Sequence, residues 1–319
     1  MPLDPEFLAE VNRLLELGMP NAAGLGISAA RAELAGFREI QDPPRQMREL
    51  HDLLIPGHGG SIPIRMYIPE TAPPSAPAIL YFHGGGWVIG NIEVADRMCR
   101  DLAAIAGCVV VSVDYRLAPE TKFPGPLMDC YTAAMWLSDN AERYGINPQA
   151  IALSGDSAGG NLAACVGLKA RDEGAPAIAY LALVYPTCST GISPSLGAQD
   201  GPGTAIVPVR GSDQMDWYRD RYLRTDADLL DPYAVPLAAA SLGGLPPTLV
   251  VSCRWDRLID ENTELVARIR RDGGDVQHEI FEKEIHSFMW LGVSTSAGYE
   301  DLLGLIATGL HRAIGARVA

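Results

Sequence analysis

The chain predicts an α/β fold built on a mostly parallel sheet with helices on both faces. Five short, continuously apolar runs, Ala78–Phe82, Cys108–Val113, Ile151–Leu153, Ile178–Val184 and Thr248–Ser252, have the composition of parallel strands covered on both sides. Helix-patterned stretches separate them, and that alternation is how parallel strands are connected. The third observation is a glycine-rich turn, Gly155-Asp156-Ser157-Ala158-Gly159-Gly160, that joins one of these runs directly to a helix-like stretch. With 319 residues, 48% of them apolar, the chain can bury a large core, as one α/β domain or as a domain carrying an insertion.

At the N-terminus, apolar residues at Phe7, Leu8, Val11, Leu14 and Leu15 recur with helical spacing until Gly18, Pro20, Gly24 and Gly26 break the pattern. Two alternating segments, Asp52–Ile55 and Ile62–Ile68, bracket Pro56-Gly57-His58-Gly59-Gly60 and predict an antiparallel hairpin. The helices expected between the parallel runs lie around Ala95–Ala106, Leu127–Tyr144, Asn161–Arg171, Glu261–Arg271 and Ala297–Ile314. From Pro186 to about Leu245 the rhythm is interrupted by turn-rich and proline-rich sequence around Trp217, Tyr218 and Tyr222, which suggests an insertion packing with the N-terminal helix as a cap. The division expected is therefore 1–45 and 186–245 for the cap, 46–185 and 246–319 for the two parts of the core.

Composition removes several classes of function. A formal charge of −14 with no basic run leaves nothing to neutralise a phosphate backbone, so no nucleic-acid partner is expected. The six cysteines are scattered without C-x-x-C spacing and sit mostly in apolar segments, as reduced core thiols do. The first residues lack a basic start and a continuous apolar stretch, and no apolar run approaches the roughly 20 residues that span a bilayer, so a cytoplasmic protein without a membrane anchor is expected.

The glycine-rich turn carries the chemistry. Where a strand turns sharply into a helix, a serine at the corner takes a strained backbone conformation, and the residues two before and two after it must be very small. Gly155 and Gly159 satisfy that around Ser157. Phosphate-binding turns are also glycine-rich, but Ser157 stands where a dinucleotide fingerprint needs glycine, and the chain has no Gly-Lys-Ser/Thr. A serine nucleophile needs a base oriented by a carboxylate. Of the six histidines, only His286 occupies a loop just after a late strand, whereas His51 and His58 lie at the hairpin, His278 within a strand, His311 near a helix end and His83 in a glycine loop. Asp256 follows the Thr248–Cys253 run, at the end of a parallel strand where ligands gather, while Asp260 suits a helix N-cap. His83-Gly84-Gly85-Gly86-Trp87 follows another strand and offers backbone N–H groups for a developing oxyanion, with the Ala158 N–H at a helix start as a further donor.

Together, His83-Gly84-Gly85-Gly86-Trp87, Asp114-Tyr115-Arg116-Leu117-Ala118-Pro119-Glu120 and Gly155-Asp156-Ser157-Ala158-Gly159-Gly160 resemble the hormone-sensitive-lipase-like esterases, in the branch with Asp before the nucleophile. The resemblance spans nearly the whole chain. It implies an eight-stranded α/β-hydrolase sheet with a helical cap, cofactor-free and metal-free ester hydrolysis through an acyl-enzyme, and a homodimer along the last strand. For individual residues it implies a Ser157–His286–Asp256 triad and an oxyanion hole from Gly85, Gly86 and Ala158, with Gly84 completing the loop. Two departures stand out: Arg257 where the family commonly has proline, and Ser287 where it commonly has glycine. Trp87, Asp156 and, from the cap, Trp217 or Tyr218 are the candidates for the pocket wall, and Tyr115, Arg116 and Glu120 for bracing the sheet edge and the oxyanion loop. The expected function is a serine carboxylesterase for small to medium, largely apolar esters. A non-catalytic ligand-binding module on the same scaffold is the alternative, and lipase, deacetylase and amidase action remain open within the enzyme class.

Overall fold

The computed structural model describes residues 26–189, 211–290 and 297–318. The proposed helix over Phe7–Leu17 lies outside them. Eight strands form one sheet in the order β1-β2-β4-β3-β5-β6-β7-β8, where β1 is Glu49–Ile55, β2 Ile62–Ile68, β3 Ala76–Phe82, β4 Val109–Val113, β5 Ile146–Asp156, β6 Tyr180–Val184, β7 Thr248–Cys253 and β8 Val276–Phe281. The hairpin β1–β2 is antiparallel, β2 joins β4 antiparallel, and every pairing from β4 to β8 is parallel.

The helices are α1 (Ile27–Ile40), α2 (Ile92–Ala106), α3 (Gly125–Asn140), α4 (Ala158–Glu173), α5 (Gly211–Tyr222), α6 (Ile259–Arg271) and α7 (Ala297–Val318). Sequence patterning did not indicate α1, because its buried Ala30 and Leu34 form a sparse stripe just after a run of glycines. Nor did it separate α5 from the turn-rich segment around it. α2 starts on the Asn91 side chain, which accepts from Val94 N at 3.0 Å, and ends at Gly107 in the left-handed region (φ 59°). α6 starts two residues earlier than expected: Leu258 is its N-cap, so Asp260 falls in the first turn instead of capping it.

β3, β4, β5, β6 and β7 are almost wholly buried, since both of their faces are covered. All six cysteines are unpaired and buried in this interior. The sheet brings the carboxyl ends of β3, β5 and β7 to the same edge, so His83, Asp156-Ser157 and Asp256, although far apart in sequence, emerge near one another. Among the described residues, no helix is long and apolar enough to cross a membrane.

The tightest packing in this frame is where α4 leaves β5. A Cβ on Gly159 would collide with Phe82 O and lie 2.6 Å from His83 O, both backbone atoms at the end of β3. Gly159→Ala therefore has no side-chain movement to relieve it and must push α4 from the sheet. We expect a loss of about 3 kcal/mol or more, seen as a lower midpoint in thermal unfolding followed by circular dichroism.

Candidate active site

Ser157 sits at the corner between β5 and α4 with φ 54° and ψ −118°, a backbone conformation that L-residues rarely adopt. Three hydrogen bonds hold the corner: Ser157 N–H donates to Val184 O at 2.9 Å, and Ser157 O accepts from Asn161 N at 2.9 Å and Thr187 N at 3.2 Å. The hydroxyl is thereby presented beyond the sheet edge, half-buried. His286 Nε2 lies 3.0 Å from Ser157 Oγ, and His286 Nδ1 lies 2.6 Å from Asp256 Oδ2. Asp256 is buried, and its second oxygen accepts from Leu258 N–H at 2.9 Å, which fixes the carboxylate plane.

Burial pulls the His286 pKa down, but the adjacent Asp256 charge and hydrogen bond, with Asp156 and Glu261 farther off, outweigh it and hold the imidazole above its ordinary value. This arrangement favours an imidazolium flanked by carboxylates, the charge state that proton transfer from serine would create.

Facing Ser157, the loop after β3 runs through successive positive φ angles, Gly85 at 106°, Gly86 at 59° and Trp87 at 61°. Among the described residues, no acceptor occupies the Gly85 or Gly86 N–H. Ala158, first residue of α4, also has no intrahelical acceptor for its N–H. Gly84 differs. Its N–H donates to Asp156 Oδ1 at 2.8 Å, so Gly84 belongs to the loop's framework and is not an available donor. Tyr81 O–H donates to the same oxygen at 2.5 Å, and Asp156 Oδ2 has no hydrogen-bond partner among the described residues. Burial pushes the Asp156 carboxyl up to about 6, although Tyr81, Gly84 and the nearby His286 favour its charge. Asp156 is 0% exposed, which corrects its assignment to the pocket wall: it lies beneath the glycine loop.

The aromatic candidates also separate. Trp87 stacks face to face on Tyr222, 4.3 Å apart, and together they border a cavity with about 420 Å³ of atom-free space, open mouth included. Asn161, Thr187, Arg219, Leu223 and Val235 are among the other residues that line it. Trp217 does not line this cavity; its ring lies under the Arg221 guanidinium, 3.8 Å from the centroid. Its neighbour Tyr218 is the residue at the site, since a Cβ on Gly86 would collide with the Tyr218 ring.

His83 is buried, stacks on Tyr115 and bonds its own loop through Nδ1 to Gly84 O at 2.8 Å. Tyr115 O–H donates to His83 O at 2.6 Å. Arg116 forks onto Asp129, away from the loop. Glu261, which the sequence did not single out, is buried behind His286 and accepts from Cys188 N at 2.8 Å and from the Ser189 hydroxyl at 2.5 Å. Its position as the third residue of α6 resembles any acidic first turn, so nothing in the sequence marks it. Ser287 has φ 66°, which is why glycine suits this place.

A serine, an imidazole and a carboxylate in series beside unoccupied backbone donors is a hydrolase arrangement, and the family comparison agrees. A family model described as an alpha/beta hydrolase fold matches residues 79–290. The chain belongs to the α/β-hydrolases, among the hormone-sensitive-lipase-like carboxylesterases. It is 36% identical to the carboxylic ester hydrolase LipN of Mycobacterium tuberculosis over 90% of this chain and 77% of that protein. To the carboxylesterase NlhH of the same species it is 33% identical over 86% of each chain. The solved hyperthermophilic esterase of Pyrobaculum calidifontis superposes with a TM-score of 0.87 at 33% identity, covering 97% of this chain and 98% of that one. The protein is a carboxylesterase. Among the described residues of this esterase, no group of His, Cys, Asp and Glu could hold a metal ion.

A Cβ at Gly84 would collide with Asp156 Oδ2 and lie 2.9 Å from Asp156 O and the Trp290 ring. Gly84→Ala should therefore displace the Asp156 carboxylate and tilt the esterase's glycine loop. The expected outcome is a fall of about 10²-fold in kcat, the scale of losing one oxyanion donor, in steady-state assays of a folded protein.

Proposed function

We propose that this carboxylesterase hydrolyses small to medium, largely apolar esters by acyl transfer to Ser157. The observation that carries the reading is the continuous series Asp256 Oδ2–His286–Ser157 Oγ, with spacings of 2.6 and 3.0 Å. Ser157 Oγ attacks the ester carbonyl while its proton moves to His286 Nε2. The electron pair of the carbonyl collects on oxygen, where the N–H groups of Gly85, Gly86 and Ala158 receive it. His286 then protonates the departing alkoxide, the C–O bond breaks and the acyl group stays on Ser157. Water repeats the sequence: His286 takes its proton, hydroxide adds to the acyl carbon, and the serine oxygen leaves with the proton returned. Asp256 keeps Nδ1–H pointing at itself and stabilises each imidazolium without taking the proton.

Residues 1–45 and 186–245 we assign to a cap, and 46–185 and 246–319 to the catalytic core. The support is that α1 and α5 both reach the glycine loop, through Arg31 at Val88 and Tyr218 at Gly86. In the cavity that Trp87 and Tyr222 border, whose exposed wall is mainly apolar, we place an acyl or alcohol group of modest size. We place the enzyme in the cytoplasm and assign it a homodimer along β8, whose outer edge has no strand partner among the described residues.

Nitrophenyl esters of increasing acyl length test the assignment. Rates should peak at short chains, with a burst of one nitrophenol per active site, and Ser157→Ala should show neither burst nor turnover. A Ser157→Ala protein that still hydrolyses these esters removes the mechanism.

The pH profile tests the base. His286 must be neutral to accept a proton, and Asp256 holds its pKa above 6.5, so kcat/KM should fall with acidification along a limb centred above 6.5. In Asp256→Asn the carboxylate is gone and burial prevails, so the limb should move to lower pH while kcat drops about 10⁴-fold.

A further inference from the structure

Arg31 on α1 spreads its guanidinium over the outer side of the glycine loop. Its Nε donates to Val88 O at 2.9 Å and its Nη2 to Ala118 O at 3.1 Å. Nη1 and Nη2 also reach the two carboxylate oxygens of Glu120 at 2.8 and 2.7 Å. Val88 and Ala118 are not arbitrary partners. Val88 N–H donates to Gly85 O at 3.1 Å, closing the turn that carries the Gly85 and Gly86 N–H groups, and Ala118 N–H donates to Trp87 O at 2.8 Å. The inner side of the same loop is fixed separately, by Asp156 at Gly84 N and by Tyr115 at His83 O.

From this geometry we infer that Arg31 is a positioning residue for the reaction: through Val88 and Ala118 it sets the direction of the Gly85 and Gly86 N–H groups and so ties oxyanion stabilisation to the seating of the N-terminal helix. The inference rests on the oxyanion role proposed above. Glu120 orients the guanidinium by a two-oxygen fork. Because Glu120 is mostly exposed, the ion pair itself adds little, and the weight falls on the two backbone carbonyls. A lysine offers one charge centre and cannot reach both carbonyls and the carboxylate in a plane.

A set of variants tests this against simple loosening of the helix. Arg31→Ala and Arg31→Lys should each lower kcat about tenfold, as a misdirected donor does, with KM within about twofold. Affinity for a trifluoromethyl ketone, whose adduct places an oxyanion in the hole, should weaken by the same factor as kcat/KM. Glu120→Gln, which leaves the carbonyl bonds available, should change kcat by less than about threefold. Arg38→Ala on the same helix breaks the Arg38–Glu93 ion pair (2.6 Å) without touching the loop, and should leave kcat unchanged. Wild-type kcat in Arg31→Ala, a loss confined to KM, rescue by lysine, or an equal loss in Arg38→Ala overturns the inference. A nitrophenol burst measured in every variant separates this failure from failure of the acyl-enzyme reading: if Ser157 is still acylated in wild type while Arg31→Ala behaves like it, only the role of Arg31 is lost.

Discussion

Everything at this site depends on how closely α4 approaches the end of β3. Gly159 is in direct contact with the Phe82 and His83 carbonyls, and Gly155 meets Gly159 and Phe82 in the same way, so no side chain separates the Ser157 corner from the start of the glycine loop. That contact sets the start of α4, and with it Ala158, against the end of β3 that leads into Gly85 and Gly86. Ser157 there takes φ 54° and ψ −118°, a conformation that costs about 1–3 kcal/mol. The cost is met locally by the bonds from Ser157 N to Val184 O and from Thr187 N to Ser157 O, both tying the corner to the neighbouring β6 end. A serine exposed on a flexible loop would not need these bonds, and would not keep its hydroxyl 3.0 Å from an imidazole.

The second constraint is electrostatic. Asp156, Asp256 and Glu261 all bear on His286, and all three are buried. Burial raises Asp156 to about 6 and Glu261 to about 7, against hydrogen bonds that favour their charged forms. For a carboxyl whose pKa is raised on folding, the native state binds more protons than the unfolded chain, so stability declines as pH climbs from the unfolded value to the folded one. Those windows run from 3.8 to about 6 for Asp156 and from 4.5 to about 7 for Glu261. The same negative surroundings favour the protonated form of His286. In the mechanism we propose, part of the stability is thus exchanged for a base that can carry a proton during the reaction.

Much of this was legible because the chemistry is written in short, local patterns. The parallel strands show as continuous apolar runs, since both of their faces are covered, and the elbow shows as glycines on either side of Ser157. The order of serine, acid and histidine followed from which residues stand just after strands. What escaped were the partnerships of tertiary approach that no local motif marks. Asp156 looks like a residue facing substrate because it precedes Ser157, yet its place at the end of β5 turns it under the glycine loop toward Tyr81. Trp217 and Tyr218 are adjacent and both aromatic, so spacing alone could not say which one covers Gly86. Arg31 and Glu120 are 89 residues apart, and nothing in either neighbourhood announces the other.

The glycine loop is held on all sides by groups with other duties, and this limits how selectivity can change independently of rate. Trp87 is at once a loop residue with φ 61° and a wall of the cavity, and its stacking partner Tyr222 ends α5. Altering either ring to enlarge the cavity removes a support of the strained turn, so under the proposed mechanism a gain in accepted substrate size there carries a loss in oxyanion alignment. Val235 stands differently. It lines the same cavity from a segment anchored by its own turn, Val235 N–H to Asp231 O at 2.9 Å. Space opened at Val235 changes what the cavity accepts while leaving the bonds at Val88, Trp87 and Gly84 intact. In the mechanism we propose, the side formed by Trp87 and Tyr222 therefore bears on rate, and the side at Val235 and Leu223 on substrate size.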